Sequence, residues 1–190
     1  MRRCFALFLA LVLLLLSGCA GEEDAMQSAL SFRQKLLSAG GCSYVADVTA
    51  DYGDYTYSFT LQCSYRDGCG SLCVLQPEEI SGIRAECSVD AATVSFDGAV
   101  LEYGDLADGR VAPLSAPWLF GSAWERDEIL FASNDEEQVR VTIQKGYDED
   151  KILTDTWFSS GVPVAGEVSC ADGRRILSVQ FRDFAFSDGS

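Results

Sequence analysis

From Tyr55 to Tyr65 every odd position is aromatic, aliphatic or cysteine, and every even position is a small or uncharged polar residue. Side chains in a strand alternate between two faces, so this run predicts one long strand with an apolar face and a wet face. A period of 3.6 would scatter the same aromatics around a helix. The segment before it has the same rhythm, with Cys42, Tyr44, Ala46, Val48 and Ala50 at its even positions. Asp51-Tyr52-Gly53-Asp54 joins the two. With Tyr52-Gly53 as a two-residue loop, Ala50 faces Tyr55, Val48 faces Tyr57, Ala46 faces Phe59, Tyr44 faces Leu61 and Cys42 faces Cys63. Both apolar faces then fall on one side of the hairpin, which makes the register self-consistent.

The pattern ahead of this hairpin is helical. Met26, Ala29, Leu30, Leu36 and Leu37 fall near one stripe from Asp24 to Ala39, with Phe32 beside it, and Gly40-Gly41 stops the helix. After it, strands are expected at Cys69–Gln76, Ile83–Asp90, Thr93–Phe96 and Ala99–Tyr103, separated by turn residues. Asp105 to Pro113 reads as an irregular loop. Ser115 to Trp124 breaks the strand pattern: Ser115 can cap a helix, Pro117 suits its first turn, and Trp118, Leu119, Phe120 and Trp124 crowd its apolar content. A fixed helical plug in the sheet and a mobile lid over an apolar cleft both fit this segment. Further strands are expected at Ile129–Ser133, Gln138–Lys145, Lys151–Phe158, Val162–Cys170 and Arg174–Phe186. In the last, the alternation slips by one residue before Phe184 and Phe186, as a bulge would make it do.

Met1-Arg2-Arg3 is a short basic region, and Cys4 to Leu16 is almost purely apolar. This describes an export signal, too short to span a bilayer, which needs roughly 20 apolar residues. Leu16-Ser17-Gly18-Cys19 closely resembles the lipobox of bacterial lipoproteins. That resemblance implies a leader over residues 1–18, a diacylated Cys19 and a short tether over 19–23, followed by a single domain over 24–190. It also implies a location on the outer face of the cytoplasmic membrane, held to the bilayer through the lipid on Cys19.

The formal net charge is −15, and −17 without Arg2 and Arg3. Such an acidic chain excludes an electrostatic grip on nucleic acid or on anionic headgroups. Histidine is absent. That removes the usual general base and the commonest metal ligand, so no enzyme, cofactor or metal site is expected. Cys69 and Cys73 alone have knuckle-like spacing for zinc. The acid groups Asp135-Glu136-Glu137 and Asp148-Glu149-Asp150 lack the alternating spacing of a calcium loop. Outside the cytoplasm, Cys42 with Cys63 and Cys73 with Cys87 are disulfide candidates by the hairpin registers, with buried thiols as the alternative. Six cysteines allow fifteen connectivities, and sequence does not choose among them.

The order is lipobox, spacer, one amphipathic helix, five meander strands, a helical plug and five more strands. It resembles the lipoprotein-carrier superfamily, which includes the LolA and LolB carriers, the RseB-type sensor domain and the lipid-binding lipoproteins of mycobacteria. Val74-Leu75-Gln76-Pro77-Glu78-Glu79-Ile80-Ser81-Gly82-Ile83 also looks like the strand-loop-strand of carrier-like lipoproteins from Gram-positive bacteria. The resemblance implies an α+β fold, a half-open antiparallel β-barrel of about 10–11 strands with helices in its concave face. It further implies a monomer that binds a hydrophobic ligand, a lipid or an acylated lipoprotein. The apolar face of the second strand and the Trp118–Trp124 segment offer Tyr55, Tyr57, Phe59, Leu61, Trp118, Leu119 and Trp124 as the lining of such a cavity. An envelope sensor or protein-interaction module without a lipid ligand is the alternative. The cysteine-rich first sheet departs from the family pattern.

Overall fold

The structure, a computed structural model, describes residues 20–89, 91–103 and 112–187. The expected leader, Cys19, Asp90 and most of the loop expected at 105–113 lie outside the described residues. Helix α1 (Ala20–Ala39) is followed by β1 (Gly41–Asp51), β2 (Thr56–Arg66), β3 (Cys69–Gln76), β4 (Arg84–Cys87), β5 (Ala92–Phe96) and β6 (Ala99–Tyr103). Helix α2 (Ala116–Glu125) then leads into β7 (Glu128–Asp135), β8 (Gln138–Lys145), β9 (Ile152–Ser159), β10 (Val162–Cys170) and β11 (Arg175–Phe186). The eleven strands of the described residues form one antiparallel sheet in the order β6-β5-β4-β3-β2-β1-β11-β10-β9-β8-β7. Each half is a meander, and the first and last strands meet in the middle. β6 and β7 end the order without pairing to each other, so the barrel is half open.

Local chemistry sets the hairpins. Asp67 and Gly68 both have positive φ, of 51° and 76°, and close β2–β3 as the two-residue turn that matches strand twist. The β1–β2 hairpin differs from the two-residue expectation. Tyr52 N–H donates to the Tyr55 carbonyl at 3.0 Å, so the loop spans four residues. The register moves by two: Ala50 pairs with Tyr57, Val48 with Phe59, Ala46 with Leu61, Tyr44 with Cys63 and Cys42 with Tyr65. The apolar faces still coincide, because a shift of two preserves pleat parity. β4 is shorter than expected because Ser88 N–H donates to the Ala91 carbonyl at 2.9 Å, which turns the chain. The slip before Phe184 is a real irregularity: Ser43 pairs with Ala185 but Val45 with Arg182, and Asp183 has φ of 51°.

Both disulfide expectations are overturned by these registers. Cys42 faces Tyr65 and Cys63 faces Tyr44, while Cys73 faces Arg84 and Cys87 faces Gly70. Cys42, Cys63, Cys69, Cys73, Cys87 and Cys170 are all free thiols.

The core lies between the concave face and the two helices. The even residues of β1 from Cys42 to Ala50 are buried, as are Leu61, Cys63 and Tyr65 of β2 and Leu177, Val179 and Phe181 of β11. On α1 the buried line is Ala25, Ala29, Phe32 and Leu36, at i, i+4, i+7 and i+11. Leu30 and Leu37, expected on the stripe, are exposed. Phe32 turns the helix: its ring lies 4.7–5.9 Å, centroid to centroid, from Trp124, Phe158, Phe184 and Phe186, and so large an aromatic contact outweighs two leucines.

Arg33 ties the helices together. Its Nε donates to the Trp124 carbonyl at 2.8 Å, and its Nη2 donates to the carbonyls of Ala123 and Asp127 at 2.9 and 2.8 Å. The last carbonyls of a helix have no partner within it, so a guanidinium fork satisfies the C-terminus of α2 and complements its dipole. Arg33→Ala is expected to destabilise the domain by about 2–3 kcal/mol, because these partly buried acceptors lose charged donors. Lysine there should recover less than half, since it lacks the fork. Urea unfolding of both variants checks this.

Candidate functional site

Sequence singled out the concave face of β2 and the Trp118–Trp124 segment, and the structure sets them against each other. Ala116 to Trp124 of α2 is buried throughout. Trp124 is 1% exposed and its Nε1 donates to Thr156 Oγ1 at 3.0 Å. Its ring lies 5.4–6.0 Å from those of Tyr44, Phe120, Phe181 and Phe184. Trp118 lies beneath Lys145, whose Nζ is 4.2 Å from the ring centroid. Lys145 Nζ also donates to Ser122 Oγ at 3.2 Å and lies 3.7 Å from Asp127 Oδ2. Burial lowers the Lys145 pKa, and Asp127 opposes that shift. Tyr65 Oη donates to Glu125 Oε2 at 2.6 Å.

Three glycines let α2 lie directly on the sheet. A Cβ on Gly70 would come within 2.4 Å of Trp118 N, one on Gly121 within 2.1 Å of Tyr65 Cδ2, and one on Gly166 within 2.4 Å of Phe120 Cε1. No real side chain fits at such distances. Of the two readings of this segment, the geometry is that of a docked plug. Arg33 and the three glycines are the residues that sequence reasoning missed. An isolated glycine inside the Trp118–Trp124 helix is the signal that could have found one of them, because it implies close packing.

The plug covers only part of the concave face. Leu61, Cys63 and Tyr65 are at most 1% exposed beneath it. Toward the hairpin tip, Phe59 is partly buried, Tyr57 is 49% exposed and Tyr55 is 66% exposed. The rings of Tyr55 and Tyr57 lie 6.5 Å apart and nearly parallel, with Tyr52 6.3 Å from Tyr57. The expected cavity residues therefore split. Leu61, Trp118, Leu119 and Trp124 are core, whereas Tyr55 and Tyr57 are exposed toward the hairpin tip and Phe59 is partly buried. A separate cleft of about 600 Å³ opens between α1 and the end of β11, with Lys35, Gln34 and Ser38 on its wall and Phe186 on its floor.

Two buried polar atoms, Tyr44 Oη and Trp118 Nε1, find no hydrogen-bond partner among the described residues. Tyr44 sits between Cys42 and Cys63, and burial is the main reason its ionisation is pushed well up. Burial also raises the Cys42 thiol to about 12, and raises Cys63 further with help from Cys42. Both stay neutral in the fold, while an unfolded thiol ionises near about 8.5. Their stabilising contribution is thus fully present below that pH and is lost as pH rises through the folded values. Stability should fall by up to roughly 1.4 kcal/mol per pH unit for each thiol above about pH 9. Urea melts at pH 7.5, 9 and 10 should show falling midpoints, and Cys42→Ala with Cys63→Ala should flatten the trend.

No family model and no curated protein matches the chain. Solved structures do. A putative outer membrane lipoprotein-sorting protein domain from Vibrio parahaemolyticus superposes with a TM-score of 0.52 at 10% identity, covering 88% of this chain and 94% of that one. The chain shares its fold with that domain. A DUF1329 family protein from Desulfovibrio piger gives a TM-score of 0.53 at 7% identity, with coverages of 90% and 95%. A LolA superfamily protein from Nitrosomonas europaea gives 0.46 at 10% identity, with coverages of 84% and 94%. The half-open α+β barrel that the resemblance implies is the observed fold. Identities this low speak for the fold alone. Among the described residues there is no group of three acidic or cysteine side chains arranged to hold a metal, and no helix long and apolar enough to cross a membrane.

Proposed function

We propose that this chain is a lipoprotein of the bacterial cell envelope, anchored through Cys19 on the outer face of the cytoplasmic membrane, which binds a lipid or the acylated end of a lipoprotein. The observation that carries this reading is the exposure gradient along β2. The concave face passes from full burial at Leu61 to 66% exposure at Tyr55, so its apolar lining outruns the plug that covers it. Tyr55, Tyr57 and Phe59 are the contacts for the ligand, with Leu61, Trp118, Leu119 and Trp124 as the wall behind them. Burying an acyl chain there gains about 0.8 kcal/mol per methylene, which rewards a long chain more than any single polar contact. The shared fold with a lipoprotein-sorting domain supports this reading.

The protein purified from its host should carry lipid that mass spectrometry identifies. Adding phosphatidylcholine vesicles to delipidated protein should shift tryptophan emission, and Tyr57→Asp should weaken the shift. Absence of both lipid and shift would overturn this reading in favour of a protein-interaction module, which the exposed tyrosines at the hairpin tip favour.

A further inference from the structure

β2 is longer than the strand beside it. β1 pairs with β2 over its whole length, from Thr56 to Arg66, but β3 pairs with it only from Thr60 onward. β3 cannot continue. Pro77 follows Gln76 with no N–H to give, and the chain turns into a 3₁₀ turn at Glu78–Ile80. Among the described residues, no strand therefore lies on the β3 side of Thr56–Phe59.

The direction of the free groups follows from the turn. The Tyr52–Tyr55 hydrogen bond makes that a bonded pair, so Ala50–Tyr57 and Val48–Phe59 are bonded pairs too. Thr56 and Ser58 fall between them. Their N–H and C=O groups point away from β1, into the lane that β3 leaves. Beside that lane, a groove of about 370 Å³ crosses β2 from β1 to Pro77, lined by Asp47, Val48, Thr49, Ser58, Phe59, Thr60, Gln76 and Pro77. Nothing guards the lane in the usual way, since Thr56–Phe59 contains no lysine, no proline and no charge.

The chemistry selects one occupant. Two donors and two acceptors repeating every second residue match the backbone of an extended peptide, and neither an acyl chain nor a sugar offers that repeat. Tyr55 and Tyr57 stand on the concave side of the lane, where an apolar side chain of the incoming strand would pack. Asp51 and Asp54 at the hairpin tip, on a chain of net charge −15, favour positive charge at one end. We propose that the open half-edge of β2, Thr56–Phe59, takes an extended, basic segment of a partner polypeptide by strand addition. The backbone groups of the lane do not depend on a lipid in the concave face, which shares only the border formed by Tyr55 and Tyr57.

The probe is an acetylated, amidated peptide, KVTYKVTK, titrated into the folded domain and followed by amide NMR. Binding with a Kd of about 1 mM or tighter should shift the Thr56 and Ser58 amides first and slow their hydrogen exchange. Methylating the probe's backbone nitrogens on the pairing edge should weaken binding at least tenfold with the protein unchanged. Replacing its lysines with glutamate should weaken it too. Ser58→Pro, with unaltered circular dichroism, should abolish it. Three outcomes would overturn the proposal: no shift at about 1 mM, shifts centred elsewhere, or equal binding by the methylated probe. A dimer whose protection covers the same amides without peptide would instead assign the edge to a second copy of this chain.

Discussion

Trp124→Ala lowers stability by about 3–5 kcal/mol, the cost of emptying a fully buried tryptophan site that cannot collapse. In a domain of this size that is a fall in Tm of roughly 6–20 °C. The value should lie toward the upper end for two reasons. Trp124 is the hub of the aromatic cluster, ringed by Phe32, Tyr44, Phe120, Phe181 and Phe184. Its removal also leaves the buried Thr156 hydroxyl without the donor it now accepts from. Trp124→Phe keeps most of the volume and should cost about 1–3 kcal/mol, chiefly through the lost hydrogen bond. Thermal and urea unfolding read both. A loss below about 1 kcal/mol for the alanine variant would mean that α2 is not docked on the sheet as described.

Gly121→Val is the second large effect, and its cause is the opposite one, too much volume. A Cβ at this position would sit 2.1 Å from Tyr65 Cδ2, and Tyr65 is itself 1% exposed and held by Glu125. Neither partner can yield without lifting α2 from the sheet, so a destabilisation of about 3 kcal/mol or more is expected. The logic is tested by a double-mutant cycle of Gly121→Ala, whose Cβ alone already meets the ring, with Tyr65→Ala. In a Tyr65→Ala background the clash is gone, and Gly121→Ala should be neutral or stabilising by up to about 1 kcal/mol through helix propensity. A coupling energy near zero would show that the tyrosine ring is not the obstacle.

Much of the fold was legible because its strands are two-faced. The period-two runs at Cys42–Ala50 and Tyr55–Tyr65 place their apolar side chains correctly whatever the register, and turn residues delimit most of the other strands. Register was not legible to the same degree. Tyr52-Gly53 and Tyr52–Tyr55 are equally good turns by composition, and the choice between them moves each pair by two and separates Cys42 from Cys63. The helix face failed for a related reason. Leucines at 30 and 37 and a phenylalanine at 32 compete for one stripe, and the sheet's aromatic surface decides in favour of Phe32. At the site, tryptophans announced the plug, but its anchors did not announce themselves. Arg33 reads as an ordinary polar-face residue until a helix end from ninety residues away is set beside it. Gly70 and Gly166 read as ordinary strand residues until the main chain of Trp118 and the ring of Phe120 occupy their empty sides.

The placement of β1 beside β11 has a consequence for how the chain is assembled in time. Within each half, strands pair with their sequence neighbours and can do so as soon as they emerge. The seam is different: Cys42 meets Phe186 across almost the whole length of the domain. A chain delivered from its N-terminus therefore completes the central strand pair last. Until then β1 is an unprotected edge, with the face from Cys42 to Ala50 uncovered and Phe32 lacking Phe184 and Phe186. Closing one contact of such long range is the slow step, and the waiting half is the species most prone to wrong pairings. Folding of this domain is thus coupled to completion of its last strand, and truncation within β11 should leave the first meander without its other half.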